Sequence, residues 1–189
     1  MSLFWIILLT LLLALAIWGM FDSGNRKDSI KNEIAALQNF SPDHAWYSHD
    51  WGHAMALDIS RRQLALVRRT QDKLHTSIIN ANQIVSAEIL EDGASLVKTA
   101  RIGQLGGAAV GGLIFGPLGA VVGGLSSGKR QIDKARSIDL DIIVQDLAAP
   151  RFTARFLATE VDKSGFVYKT YIGEAREWAA RIDSLIHNA

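Results

Sequence analysis

Ile102 to Gly128 reads I-G-Q-L-G-G-A-A-V-G-G-L-I-F-G-P-L-G-A-V-V-G-G-L-S-S-G. From Leu105 to Leu125 it carries no charge. Glycines recur four apart, at Gly103, Gly107 and Gly111, Gly112 and Gly116, Gly119 and Gly123, and Gly124 and Gly128. On a helix this spacing lines small residues along one face, where a second backbone can approach closely. In water such a helix is poor, because each Gly costs about 1 kcal/mol relative to Ala. Leu113, Ile114, Phe115, Leu118, Val121 and Val122 are too apolar for a solvated linker. Whether this stretch crosses a membrane, or interrupts a domain whose two halves lie on either side of it, decides the fold.

The flanking sequence favours an interruption. Upstream, Met55, Leu57 and Ile59 alternate with Ala54, Ala56 and Asp58. Ser60-Arg61-Arg62 reads as a turn, and Leu64 and Leu66 continue the two-residue period, giving a β-hairpin. Leu74–Ile79 is a weaker strand and Ile84–Leu90 another, with Val85, Ala87 and Ile89 on one face. Glu91-Asp92-Gly93 supplies a tight turn into a strand over Ala94–Ala100. Downstream, Ile138, Leu140, Ile142 and Val144 alternate with Asp139, Asp141, Ile143 and Gln145, and Phe152, Ala154 and Phe156 form the next strand. Ser164-Gly165 lies in a linker. Tyr171–His187 is an amphipathic helix with Ile172, Ala175, Ala179, Ile182 and Ile186 on one face.

Leu3–Phe21 is a continuous apolar run, about 28 Å long as a helix and close to the thickness of a hydrocarbon core. Trp5 stands at one end, and Trp18 and Phe21 at the other, as interfacial anchors do. Ala14-Leu15-Ala16 is the competing reading, a signal-peptide cleavage site. No Lys or Arg precedes the run, and Ile17 and Trp18 continue it past that site, so a permanent anchor is expected. Arg26, Lys27 and Lys31 follow the run, which places the remainder on the cytoplasmic side of a bacterial inner membrane. Asp28–Phe40 reads as a short amphipathic helix with Asp28 or Ser29 at its start, and Ser41–Gly52 as an aromatic, turn-rich loop. The expected organisation is an anchor over 1–22, a juxtamembrane helix and loop over 23–52, and a β-domain over 53–188 interrupted by 102–130.

About seven antiparallel strands followed by one helix pack as a bent sheet or as two sheets closed at one end by the helix. This order resembles the pleckstrin-homology-like fold, as a β-barrel or sandwich with the glycine-rich hairpin inserted before the last two strands. Met55–Val67 (M-A-L-D-I-S-R-R-Q-L-A-L-V) and Ile84–Gly93 (I-V-S-A-E-I-L-E-D-G) are similar to stretches of bacterial pleckstrin-homology-like proteins, some with a glycine-rich insert before their last strands. The resemblance implies a binding or scaffold module rather than an enzyme, and it carries over no catalytic or ligand residue.

If the domain is intact, both ends of the insert lie on one side of any membrane. A hairpin turning at Gly116-Pro117 satisfies this, inserted in the bilayer or packed against protein. Lys98 and Arg101 flank one end, and Lys129, Arg130, Lys134 and Arg136 the other, as expected for contacts to anionic lipid. Arg61-Arg62 and Arg68-Arg69 are further basic pairs.

Net charge is +1, so no global field recruits nucleic acid, and there is no cysteine for disulfide or thiol chemistry. His49 and His53 have metal-like spacing, but Pro42, Gly52 and the adjoining strand pattern oppose the helix that spacing needs, and the four-ligand zinc pattern is missing. No metal, cofactor or catalytic residue is expected. The partners expected are membrane lipids and either a second copy of the chain or another membrane protein. The leading functional expectation is a membrane-anchored, non-enzymatic binding or scaffold protein. The competing one is an oligomeric membrane-perturbing or pore-forming protein assembled through the glycine faces.

Overall fold

A computed structural model describes residues 3–71, 73–100 and 133–187; within this span the side chains of residues 3, 4, 6, 16–22, 99 and 100 are not described. The glycine-rich stretch, with Arg101, Lys129 and Arg130, lies outside the described residues. Among the described residues ten strands and two α-helices follow one another: α1 (Leu3–Ala35), β1 (His44–Tyr47), β2 (His53–Asp58), β3 (Gln63–Thr70), β4 (Lys73–Asn80), β5 (Ile84–Glu91), β6 (Ala94–Ala100), β7 (Lys134–Ala135), β8 (Ile138–Val144), β9 (Arg151–Leu157), β10 (Val161–Asp162) and α2 (Phe166–His187).

The main strands form two four-stranded antiparallel sheets, in the orders β1-β2-β3-β4 and β6-β5-β8-β9, while β7 and β10 pair separately. The result is a sandwich and not a closed barrel. Its interior is built from Met55, Leu57, Leu64 and Leu66 of the first sheet, Ile89, Leu140 and Ile142 of the second, and Ile172, Trp178 and Ile182 of α2. Trp46 and Phe156 meet across it with ring centroids 4.7 Å apart. All five apolar positions expected on the C-terminal helix are buried, and the helix begins at Phe166, five residues before Tyr171.

Four differences from the sequence reading matter for function. The aromatic loop contains a strand: His44–Tyr47 pairs with β2, so Trp46 points inward while Tyr47 is half-buried. The insert consequently falls after the sixth strand, and four strands follow it rather than two, two of them only two residues long. Ile84–Glu91 carries an irregularity between Ile84 and Ser86, so Ile84, Ala87 and Ile89 are fully buried and Val85 is not. Finally, no helix begins at Asp28. One helix of 33 residues runs from Leu3 to Ala35.

The last turns of that helix belong to the domain. Ile30 and Ile34 pack with Phe40 against Ala54, Ala56, Ala65 and Val67, the outward-facing side chains of β2 and β3. The alanines are small enough for the helix to sit close to the sheet. Burying one isoleucine this way contributes about 1.5–3 kcal/mol. The first sheet is thus covered on both faces. Among the described residues no helix is long and apolar enough to cross a membrane, so α1 does not bear out the expected transmembrane anchor.

Candidate functional site

Three features of the fold bear on function: the joint between α1 and the first sheet, the base of the insert, and a groove between the sheets.

At the joint, Lys27 lies 5.7 Å from the centre of the Trp51 ring, and Lys31 lies 5.7 Å from Tyr47 and 5.8 Å from Trp51. Cations above aromatic faces at such distances are attracted by the ring quadrupole. Arg69 donates through Nη2 to the Arg26 carbonyl at 3.1 Å and through Nε to the Trp51 carbonyl at 3.4 Å. On the other side of the helix Thr76 donates to Glu33 at 2.7 Å. At the opposite end of the sheet, fully buried Asp58 accepts from the backbone of Ser41 and Arg61, the Ser60 hydroxyl and the Arg61 guanidinium, at 2.7–3.1 Å. Burial pushes this carboxyl up, but those bonds outweigh it and hold the group well below the usual carboxylate range. The Arg61-Arg62 turn is therefore engaged: Arg61 pairs with Asp58, and Arg62 donates to the Leu185 carbonyl at 2.8 Å.

The insert base is set by the β5–β6 turn. Asp92 and Gly93 both have positive φ, 50° and 80°, the combination that a tight Asp-Gly hairpin turn requires. Asp92 Oδ1 accepts from the backbone of Arg136 and Ser137, both at 2.8 Å, and so fixes where the returning chain enters β8. Lys134 and Arg136 both reach Glu160, at 2.6 and 3.1 Å. Those two bonds hold the Glu160 carboxyl below its ordinary value. Lys163 bridges Glu91 and Asp133. Burial pulls its ammonium down, but the two carboxylates outweigh that and raise it. Tyr168 of α2 donates to the same Glu91; burial first, then that bond, pushes its hydroxyl up to about 12.

Of the basic residues expected at lipid, the three described ones have acidic partners within the domain: Lys134 and Arg136 on Glu160, and Lys98 on Glu88 at 3.6 Å. Lys98 belongs to a charged ladder on the outer face of the second sheet. There Arg151 pairs with Asp141 at 3.5 Å and Arg155 with Asp139 at 2.7 Å.

The two ends of the insert are far apart. Ala100 pairs with Ser86, near the start of β5, whereas Ile138 pairs with Glu91 at its end. β6 and β8 are parallel to one another with β5 between them, so the chain leaves the sheet beside one end of β5 and re-enters it beside the other. Five residue steps along β5 separate those ends by about 17 Å.

The groove, about 290 Å³, opens between β3–β4 and the β8–β9 turn. Leu66, Ile79 and Phe152 form its floor, and Arg68, His75 and Asp146 stand among its lining. Arg68 donates to the Arg151 carbonyl at 2.9 Å and lies 5.8 Å from the Phe152 ring. His53 meets the same ring edge-on at 6.0 Å. Burial lowers the His53 pKa; Arg68 and Arg155 add to this against the opposing charge of Asp50. Among the described residues no three His, Asp or Glu side chains converge as a metal site needs.

The sequence reading missed the lysine-aromatic joint and the β8–β9 turn, whose Leu147 is wholly exposed. The first had a signal, two lysines four apart beside an aromatic cluster. The second had one too, an apolar residue in a turn ending at Pro150.

A two-sheet β-sandwich with a C-terminal helix and a glycine-rich crossover defines the class: a pleckstrin-homology-like domain carrying an insert. A family model described as glycine zipper containing PH domain matches residues 43–158, and the chain belongs to that family. It is 26% identical over 176 residues to a protein of Bacillus phage SPbeta named "Immunity protein", covering 86% of this chain and 85% of that one. It is equally similar to an SPbeta prophage-derived uncharacterized membrane protein, YomJ, of Bacillus subtilis strain 168, covering 86% of this chain and 75% of the relative. No solved structure matches.

Proposed function

We propose that the protein is a non-enzymatic, membrane-anchored binding protein. α1 would hold its pleckstrin-homology-like domain at the cytoplasmic face of a bacterial inner membrane, with the glycine-rich crossover serving as a membrane-associated or self-associating segment. One observation carries the reading. α1 continues without a break from the apolar run into the turns docked on the domain, and Leu9, Leu11, Leu12, Leu13 and Leu15 each leave more than half of their surface uncovered. Such a leucine surface is costly in water and favourable in hydrocarbon. The relative named as a membrane protein supports the location. The relative named an immunity protein supports a binding role in protection rather than a catalytic one.

Membrane fractionation with alkaline extraction tests this. The full chain is expected to stay with the membrane pellet. Extraction of the full chain into the soluble fraction overturns the anchor. A variant lacking residues 1–21 separates the contributions: retention in the pellet assigns binding to the crossover as well, and release assigns it to α1 alone. Crosslinking of Gly111→Leu and Gly119→Leu variants tests self-association, which the substitutions are expected to abolish.

A further inference from the structure

From the geometry of the α1 joint we infer which face of the domain meets lipid: the end of the sandwich carrying Trp51, the β3–β4 turn and the β8–β9 turn, with Leu147 as its apolar tip against an anionic headgroup layer. The inference rests on the anchor proposed above. The apolar run ends at Phe21, and the first turn tied to the sheet holds Arg26. Five residues of continuous helix rise about 7.5 Å. A headgroup layer is about 5–8 Å deep on each side of the hydrocarbon core. With so short and stiff a spacer, the part of the domain beside Arg26 reaches the headgroups.

That part is identifiable. Arg69 bonds the carbonyls of Arg26 and Trp51, and its own N–H donates to Gly52 at 2.7 Å. Thr70 pairs with Lys73 just beyond, so the turn at Gln71 projects past the same end of the sheet. Thr70 and His75 share the inter-sheet groove with Ala148 and Ala149, which brings the β8–β9 turn alongside. In that turn Leu147 has no cover at all, while Asp146 spends its carboxylate on the Ala148 and Ala149 N–H groups. Lys27, Lys31 and Lys73 are exposed on this end. Asp22, Asp28, Asp50 and Asp72 are the acidic residues nearby in sequence, fewer than the cations Arg26, Lys27, Lys31, Arg68, Arg69 and Lys73, and Asp50 accepts from Ser48 and Gly52. An exposed leucine among cations suits an anionic interface, whose polybasic contacts are electrostatic and whose depth admits a single apolar side chain.

The chain has no cysteine, so single-cysteine variants of the full protein can carry a fluorophore at one chosen depth. Leu12→Cys reports the anchor and Leu147→Cys the inferred face. Ile59→Cys reports the opposite end of the first sheet, where an apolar side chain is also exposed. In vesicles of phosphatidylcholine and phosphatidylglycerol, an acyl-chain quencher reads Leu12→Cys and a headgroup-region quencher reads the other two; with the latter, Leu147→Cys is expected to be quenched several-fold more than Ile59→Cys. Inserting four glycines after Asn25 should remove that difference while leaving the Leu12→Cys signal. Quenched Leu12→Cys with equal signals at 147 and 59 overturns the inferred face and leaves the anchor standing. Unquenched Leu12→Cys overturns both.

Discussion

The hydroxyl of Tyr168 donates to the carboxylate of Glu91, joining the first turns of α2 to the last residue of β5. Lys163 holds the other oxygen of the same carboxylate, so strand, helix and the β10 segment meet on one buried acid. Tyr168→Phe is expected to cost about 1.5–3 kcal/mol in denaturant unfolding, the range for a hydrogen bond to a charged group. The wild-type chain should also lose stability between about pH 10 and 12. There the unfolded tyrosine has ionised, while the folded one, pushed up to about 12, still holds its proton. The variant should lack that component.

Asp58 carries the converse pH dependence. Its folded pKa is depressed, so its stabilisation is complete above the unfolded value of about 4 and is lost as pH falls further, through the folded value. Asp58→Asn replaces a charged acceptor of four bonds with an amide that brings unwanted donors. A loss of about 2–4 kcal/mol is expected at neutral pH, with a flatter stability profile in acid. Thermal unfolding from pH 2 to 7 measures both.

Ala56 and Ala65 are opposite one another in register, and both lie under α1. Ala56→Leu should push the helix off without disturbing the inner face of the sheet. A cost of about 1–3 kcal/mol is expected from overpacking. Hydrogen exchange in residues 26–40 should accelerate far more than in β5 or β8. Equal protection in the variant and the wild type would contradict the packing described.

The parallel arrangement of β6 and β8 sets a minimum length for what joins them. Replacing residues 101–137 by three residues allows at most about 14 Å between Ala100 and Ile138, short of the roughly 17 Å along β5 and with no allowance for crossing it. That variant is expected not to fold. A twelve-residue Gly-Ser linker, with an r.m.s. span of about 19 Å, should restore the circular dichroism and cooperative unfolding of the domain.

Much of this was readable from the chain, where local pattern and packing agree. The alternation in Ile138–Val144, the buried stripe of α2 and the Asp92-Gly93 turn each follow from a period or from backbone preference. The failures share one cause, tertiary contact overriding local signal. His44–Tyr47 is a strand because β2 offers it an edge, although its four residues beside Pro42 carry no alternation worth reading. The helix does not stop at Gly24-Asn25, since its next turns are held on the sheet through Ile30 and Ile34. Lys98, Lys134 and Arg136 looked available to lipid because Glu88 and Glu160 lie 10 to 26 residues away in sequence. Glu88 could in principle have been found by counting back from the turn at Asp92, but the irregularity at Ile89 and Leu90 shifts that count by one. Of the proposed interface, its cations and aromatics were visible singly; their gathering at one end required the sheets.

The crossover also imposes an order of events on the growing chain. β5 and β6 can close as a local hairpin once Ala100 has been made, leaving the far side of β5 unpaired. β8 cannot take that place until the whole glycine-rich stretch has been synthesised, so the second sheet is completed by a late, long-range closure of the kind that slows folding. The apolar segment therefore emerges while its own domain is half built. Whether lipid or a neighbouring copy receives it, that encounter can precede the closure of the domain.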